Sequence, residues 1–221
     1  MIQSMLSNLD LVLLPTGQTI FMVTFTVIFA LLMGIPIGIL LNITAPDGIA
    51  PKPKLHKSIG IFINLFRSFP FLILMILVFP IARFIVGVST GTLASIVPLA
   101  IATTPFMARI IQNSLQEISP DVIQAAKVMG STNWQIIYKV LIPESLPSMV
   151  SGITLTIIAV IGNSAMAGAI GGGGLGDLAI RYGYHRFRTD VMFLSVIVII
   201  MLVAMVQWIG TTITKKMLNK R

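Results

Sequence analysis

Residues 124–130 read QAAKVMG, and residues 140–143 read VLIP. Together they form a polar, gently amphipathic stretch in a chain that is otherwise mostly apolar. Long uncharged segments, which reach the about 20 residues that a membrane-spanning helix needs, lie on both sides of this stretch. A membrane protein with a polar helical hairpin between two spans is expected to use that hairpin to contact a soluble partner.

The composition is that of an integral membrane protein. Of the 221 residues, 56% are hydrophobic and only 10% are charged, whereas soluble domains carry about 25% charged residues. The net charge of +8 comes from cations in loops and near the C-terminus, so membrane topology explains it better than nucleic-acid binding does. The absence of cysteine excludes disulfides, thiolate metal sites and cysteine nucleophiles.

The sequence predicts an all-α membrane protein that forms a single transmembrane domain over residues 1–221. Prolines at four positions of the second and third spans are able to kink or break those helices. We predict five transmembrane helices at residues 18–43, 59–82, 86–108, 145–170 and 191–214. The hairpin, residues 119–143, lies between the third and fourth spans.

Positive charges set the predicted orientation. Five spans put the termini on opposite sides, and cytoplasmic segments carry the excess of lysine and arginine. One set of segments holds Lys52, Lys54, Lys57, Arg109, Lys127, Lys139, Lys215, Lys216, Lys220 and Arg221. The other set holds Arg83, Arg181, Arg186 and Arg188. The bias predicts an external N-terminus, a cytoplasmic C-terminus and a cytoplasmic hairpin.

The hairpin contains two predicted helices. Residues 119–121 (SPD) are typical of a helix start, with a serine cap and proline in the first turn. Val122, Ala126 and Met129 are expected to form one apolar stripe along the first helix. From composition alone, this segment is equally well explained as an amphipathic connector on the membrane surface.

The turn of the hairpin has its own signals. Gly130 stands where a left-handed residue ends a helix. Ser131 or Thr132 is expected to cap a second short helix, which should stop before Pro143.

The spacing of these residues resembles the EAA loop of bacterial ABC importer permeases. That loop reads Glu-Ala-Ala, three residues, Gly, nine residues, Ile, one residue, Leu-Pro. The chain matches it at Ala125, Ala126, Gly130 and Pro143. Gln124 replaces the glutamate and removes its charge, whereas Val140 and Ile142 keep the apolar character.

Further segments resemble the methionine-importer branch of that family, from about residue 16 to residue 210. They are residues 64–71 (NLFRSFPF), 96–99 (IVPL), 105–109 (PFMAR), 164–168 (SAMAG) and 171–184 (GGGGLGDLAIRYGY). The resemblance implies a homodimeric permease in the bacterial inner membrane, with two cytoplasmic ATPase subunits and an external methionine-binding lipoprotein. It implies that ATP is bound by the partners and that this chain carries no cofactor. The residues implied for coupling to the ATPase are Gln124, Ala125, Ala126, Met129, Gly130 and Pro143.

The fourth span is rich in small and hydroxyl residues, which in membranes mainly serve helix packing. We hypothesise that Asn163, Ser164 and Met166 line or gate a translocation path. An interhelical hydrogen bond by Asn163 and gap filling by Met166 are the alternatives. Arg67 lies inside the second predicted span, where an ionisable residue is a functional candidate, with snorkelling or structural pairing as the alternative.

Other signals are discounted. Residues 171–176 match a GxGxxG pattern but follow no strand, and the chain has no Walker A sequence, so neither indicates nucleotide binding. His56 and His185 lack metal-ligand neighbours in sequence, so no metal site and no catalytic site are predicted. Alternatives to methionine import are import of another small solute, such as a polar amino acid or a phosphonate, and secondary transport driven by an ion gradient. All seven acidic residues lie outside the predicted spans, which argues against ion-coupled transport.

Overall fold

The computed structural model describes residues 9–219 of the chain, so Lys220 and Arg221 of the charge argument lie outside the described residues. Within that range all regular elements are helical, which confirms the all-α prediction. The helices are α1 (Leu9–Thr44), α2 (Pro53–Ser68), α3 (Phe71–Val86), α4 (Thr92–Gln116), α5 (Pro120–Val128), α6 (Asn133–Ile136), α7 (Ile142–Ala169), α8 (Gly174–Leu178) and α9 (Thr189–Leu218), with π-helical turns at Ile137–Leu141 and Ala179–Tyr184.

Several helices are long and apolar enough to cross a membrane. Four stretches meet this condition alone: Asp10–Thr44, Thr92–Gln116, Asn133–Ala169 and Thr189–Leu218. Helices α2 and α3 meet it only as a pair, and they are bent by 106° at a short break. The described residues therefore provide four candidate spans, or five if the bent pair counts as one.

The predicted second span, residues 59–82, corresponds to α2 and α3 and is not one continuous helix. The break lies at Pro70, whose backbone angles of φ −57° and ψ 129° are extended. Proline has no N–H to continue the α2 hydrogen-bond ladder, and its ring disfavours helical angles at the preceding residue. Pro80, in contrast, is accommodated inside α3.

The connection after α3 explains a second difference in boundaries. Gly87 (φ 81°) and Gly91 (φ 92°) are both left-handed, and the Gly87 N–H donates to the Arg83 carbonyl to close α3. Because these two left-handed residues cannot continue a helix, α4 begins at Thr92 and not at residue 86, where the third span was predicted to begin. It then continues to Gln116, beyond the predicted end at residue 108.

The second helix of the hairpin does not stop before Pro143, contrary to the prediction. Helix α6 passes through the π-helical turn Ile137–Leu141 into α7, so residues from Asn133 to Ala169 form one helical stretch. In the π turn the Ile142 N–H donates to the Ile137 carbonyl, five residues back. Pro143 lies in the first turn of α7, where its missing N–H is tolerated next to the widened turn.

The chain divides into two compact units, and the first consists of the described residues of Met1–Phe29, Phe69–Thr103 and Thr156–Gln207. Its buried apolar side chains form two clusters. One cluster contains Met22, Met75, Ile96, Leu99 and Ala167. The other contains Val12, Leu175, Leu178, Val191 and Leu194.

The second unit consists of the described residues of Ala30–Ser68, Thr104–Leu155 and Trp208–Arg221. Its main cluster joins α1 and α4 to the hairpin through Ala30, Met107, Ile111, Leu115, Ala126, Ile136, Ile137, Leu141 and Met149. A smaller cluster of Leu41, Ile63 and Ala108 adds α2. Helix α1 approaches α4 closely because Gly34 and Gly38 lie at the contact.

We predict that Gly38→Ala destabilises the protein, because the new Cβ would lie 2.6 Å from the Ala108 carbonyl oxygen and 2.7 Å from the Ile111 Cβ. Overpacking of this kind costs about 1–3 kcal/mol. Gly60→Ala in α2 is the matched control, since its Cβ would meet no atom within 4 Å. Thermal unfolding of both variants in detergent measures the difference, and equal unfolding temperatures would contradict the packing argument.

Candidate functional site

The first helix of the hairpin begins as the sequence predicts. The Ser119 Oγ accepts a hydrogen bond from the Asp121 backbone N–H at 3.3 Å, and Pro120 occupies the first helical position. Asp121 lies in the first turn, where its negative charge complements the helix dipole. The predicted serine cap is confirmed.

The turn of the hairpin is closed by backbone hydrogen bonds around Gly130. This residue has φ 79°, so the predicted left-handed glycine is confirmed. Its N–H donates to the Lys127 carbonyl at 3.0 Å, and the Ser131 N–H donates to the Ala126 carbonyl at 3.1 Å. A side chain other than glycine or asparagine is strained at such angles.

Thr132, one of the two predicted caps, starts the second helix. Its Oγ1 accepts from the Gln135 N–H at 3.3 Å, while its own N–H donates to the Gln135 Oε1 at 2.8 Å. This reciprocal arrangement is a capping box. The two caps and the glycine turn give the hairpin a defined local shape.

One face of the hairpin is packed against the rest of the second unit. Ala126 is only 3% exposed, and Ile136, Ile137 and Leu141 are also buried. They share a cluster with Ile111 and Leu115 of α4 and with Ala30 of α1. The hairpin is therefore bound to two long helices by apolar packing and is not a loose connector.

The predicted stripe of Val122, Ala126 and Met129 is wrong as a single face. Ala126 points into the cluster together with the half-buried Ile123, whereas Val122 and Met129 are exposed. Ala126 follows Ile123 at a three-residue step on the packed face, whereas Met129 is the C-cap, beyond the last helical residue Val128. Ala126 consequently has a packing position, not a surface position.

The opposite face of the hairpin is an exposed surface with large apolar side chains. Val128 and Met129 are 81% and 79% exposed at the tip of the turn, and Gln124, Ala125 and Gly130 are exposed beside them. Pro143 is also exposed but lies beyond the π turn, at the start of α7. Of the six predicted coupling residues, the structure thus exposes all except Ala126.

Sequence reasoning missed an aromatic pair on the second helix. The rings of Trp134 and Tyr138 stack with centroids 5.5 Å apart, and both side chains are largely exposed. They line an apolar groove of about 570 Å³ together with residues of α1, among them Ile39 and Ile43. The four-residue spacing of the two aromatics was the available signal.

The three predicted path residues on α7 have different surroundings. Ser164 is 2% exposed, and its hydroxyl donates to the Ile161 carbonyl at 2.7 Å, so it faces the interior of the first unit. Asn163 is half-buried, whereas Met166 is 50% exposed. The sequence placed all three together, but Ser164 does not share the face of Met166.

Met166 belongs to a row of small residues on the exposed face of α7. Ala159, Gly162 and Ala169 are exposed in the same row, whose successive members are three or four residues apart, as on one helical face. A Cβ on Gly162 would meet no atom within 4 Å. Met166 is thus the large and flexible side chain in a row whose other members are alanine and glycine.

Arg67 lies at the end of α2, next to the break at Pro70. Its guanidinium is 6.0 Å from the centre of the Phe106 ring, and the side chain is exposed. A neighbouring cation, Arg109, which the sequence analysis named only for topology and within residues 105–109, is better anchored. It donates to the Gln112 Oε1 at 2.7 Å and to the Asn64 Oδ1 at 2.9 Å, so it links α4 to α2.

The glycine-rich turn at residues 171–174 packs on α1. The Gly174 N–H donates to the Gln18 Oε1 and the Leu175 N–H to the Thr19 Oγ1, both at 2.9 Å. Gly171, Gly173 and Gly174 all have left-handed angles. These glycines allow the turn to approach α1 closely. The side chains of Gln18 and Thr19 on α1 accept hydrogen bonds from N–H groups that a bound phosphate would need.

The sequence of this chain is similar to those of known proteins. Residues 34–218 match the family described as the binding-protein-dependent transport system inner membrane component. A Vibrio cholerae protein named "Probable D-methionine transport system permease protein MetI" is 43% identical over 95% of this chain and 93% of its own length. The Bacillus subtilis "Methionine import system permease protein MetP" is 44% identical over 82% of both chains.

Solved structures agree with the sequence relatives. A chain of the MetNI methionine ABC transporter, in an inward-facing conformation, has a TM-score of 0.89 and 40% identity, with 91% of this chain and 93% of that chain covered. An amino acid ABC transporter chain with a TM-score of 0.75 and 20% identity shares the fold. Since the family match covers residues 34–218 and a relative that is 43% identical covers 95% of the chain, this chain belongs to the binding-protein-dependent transport system inner membrane components.

Proposed function

We propose that this chain is the membrane-spanning permease subunit of an ATP-driven importer that moves methionine into the cytoplasm. The observation that carries the proposal is the likeness, at 40% identity and a TM-score of 0.89, to the permease fold of the MetNI methionine ABC transporter. Relatives at 43% and 44% identity have names that specify methionine or D-methionine. Both stereoisomers are therefore included in the proposed substrate class.

The proposed assembly contains two copies of this chain, two cytoplasmic ATPase subunits and an external substrate-binding lipoprotein. The exposed row of small residues around Met166 suits a second copy, because small residues let membrane helices approach closely. We propose that the partner subunits bind and hydrolyse ATP and that this chain is a non-enzymatic transport subunit without a cofactor.

We propose that the hairpin lies in the cytoplasm and couples the ATPase to the spans. The exposed tip, with Ala125, Val128, Met129 and Gly130, offers a low-charge surface for insertion into a cleft of the ATPase. Ala126 lies on the buried face of the same helix, and the apolar cluster to which it belongs connects the tip to α1 and α4. Movement of the tip is then transmitted to whole helices, because a packed cluster moves as a unit.

We propose that Met166 gates the translocation path and that Asn163 lies beside it. A thioether side chain is flexible and polarisable, so it fills the space between small neighbours and yields to a passing substrate. Ser164 is buried, and its hydroxyl donates to the Ile161 carbonyl of the same helix, so its proposed contribution to the gate is indirect. Arg67 and the anchored Arg109 are proposed to stabilise the α2–α4 contact.

Uptake by the reconstituted complex tests the function. The chain is co-expressed with its ATPase and binding protein, reconstituted in vesicles and supplied with labelled methionine in the presence of competing amino acids. ATP-dependent uptake that only methionine and its close analogues displace is the expected result. ATP-dependent uptake of another solute would overturn the substrate, and uptake that follows an ion gradient without ATP would overturn the importer assignment.

We predict that Gly130→Arg abolishes methionine uptake while the variant still inserts into the membrane. A long side chain at the tip blocks close approach of the ATPase, and the left-handed angle adds a backbone cost of about 1–2 kcal/mol. Gly130→Asn is the control, because asparagine tolerates this conformation. Uptake rates are compared at equal membrane content, and normal uptake by the arginine variant would refute the coupling surface.

We predict that Met166→Ala makes the path leaky, with faster passive methionine flux and more ATP hydrolysed per methionine imported. Met205→Ala in α9 is the matched control, because both methionines are 50% exposed. Vesicle flux without ATP and the ratio of hydrolysis to uptake are the measurements. Unchanged flux and coupling in Met166→Ala would exclude the gate.

A further inference from the structure

The turn between the second π-helical segment and α9 holds an unusual residue. Phe187 has φ 56°, and it is the one non-glycine residue with a positive φ among those that the structure describes. Backbone hydrogen bonds fix it there: the Arg188 N–H donates to the Tyr182 carbonyl at 3.2 Å, and the His185 N–H donates to the Ile180 carbonyl at 2.9 Å. Left-handed angles are costly for a bulky side chain.

Packing within the chain does not compensate this cost. The Phe187 ring is 88% exposed, and Tyr184 beside it is 68% exposed. An apolar ring that is held out by a strained turn is a feature of ligand and partner contacts more than of folding.

The charges around Phe187 are arranged unequally. Arg181 pairs with Asp177 at 2.7 Å, and Arg188 pairs with Asp190 at 3.0 Å. Arg186 has no carboxylate partner in the described part of the chain, and its guanidinium lies 4.5 Å from the centre of the Tyr182 ring. Stacking on the ring orients this guanidinium without neutralising it.

The membrane does not explain these cations. Under the proposed topology the turn is external, and Arg181, Arg186 and Arg188 lie within eight residues of one another there. Positive residues are depleted from that side of the membrane. An exposed, uncompensated arginine beside an exposed aromatic ring is instead the composition of an interface hot spot.

We propose that Arg186 and Phe187 anchor the external binding protein on the permease. The Arg186 guanidinium pairs with a carboxylate of that protein, and the Phe187 ring enters an apolar pocket beside the carboxylate. The inference rests on the proposed function, since the family is binding-protein-dependent and the turn must be external. Charge complementarity selects an acidic surface on the partner.

Affinity of the labelled binding protein for the complete transporter in lipid nanodiscs tests the proposal. Phe187→Gly should weaken binding about tenfold or more, the loss typical of an interface anchor. Because glycine adopts left-handed angles without strain, the thermal stability of the Phe187→Gly variant should equal or exceed that of the wild type. Phe84→Ala is the control, since Phe84 is 93% exposed in α3 but has no such turn.

Charge reversal provides the second test. Arg186→Glu should weaken binding about tenfold or more and flatten its salt dependence, whereas Arg83→Glu should change neither. Wild-type affinity in both Phe187→Gly and Arg186→Glu would overturn the proposal while methionine uptake by the wild type keeps the transport function. If Arg186→Glu changed methionine uptake only in vesicles with anionic lipid and left the affinity for the binding protein unchanged, the proposal would also be overturned. The turn would then be assigned to the membrane surface. A wild-type complex that neither binds the protein nor imports methionine would overturn both proposals.

Discussion

The close contact between α1 and α4 is the constraint on which the second unit depends. In lipid, apolar side chains gain little from leaving one apolar environment for another, so helices associate through tight packing of small residues. Gly34 and Gly38 supply that packing, because any Cβ there would meet Met107, Ala108 or Ile111. The same α4 residues, Met107 and Ile111, then form the platform on which the hairpin packs.

The first helix of the hairpin therefore combines two opposite requirements in its nine residues. Its inner side is small and buried at Ala126, whereas its outer side, proposed to contact the ATPase, is exposed at Val128 and Met129. A loose connector would have satisfied only the second requirement. Caps at Ser119 and Thr132 and the left-handed Gly130 keep the outer side in one conformation, which lowers the ordering cost of binding.

Local signals were readable from the sequence, whereas directions were not. The serine cap, the left-handed Gly130 and the apolar spans depend on neighbouring residues, so pattern alone predicts them. The outward position of Met129 and the inward positions of Ala126 and Ser164 depend on which helix packs against which, and that is long-range information. The proline at residue 70 was a visible candidate for a kink, but a proline in the sequence does not by itself specify the 106° angle between α2 and α3.

The π-helical turn at Ile137–Leu141 has a consequence for helix register. Buried residues follow it at four-residue steps, at Ile137, Leu141, Ser145 and Met149. In a regular α-helix each such step advances by about 40°, so three steps would turn the last residue roughly 120° away from the first. The wider turn slows this drift and keeps the row facing α1 and α4. Inserting or deleting one residue in this turn would therefore rotate the hairpin about the axis of the spanning helix by about 100°, although no residue of either surface would change.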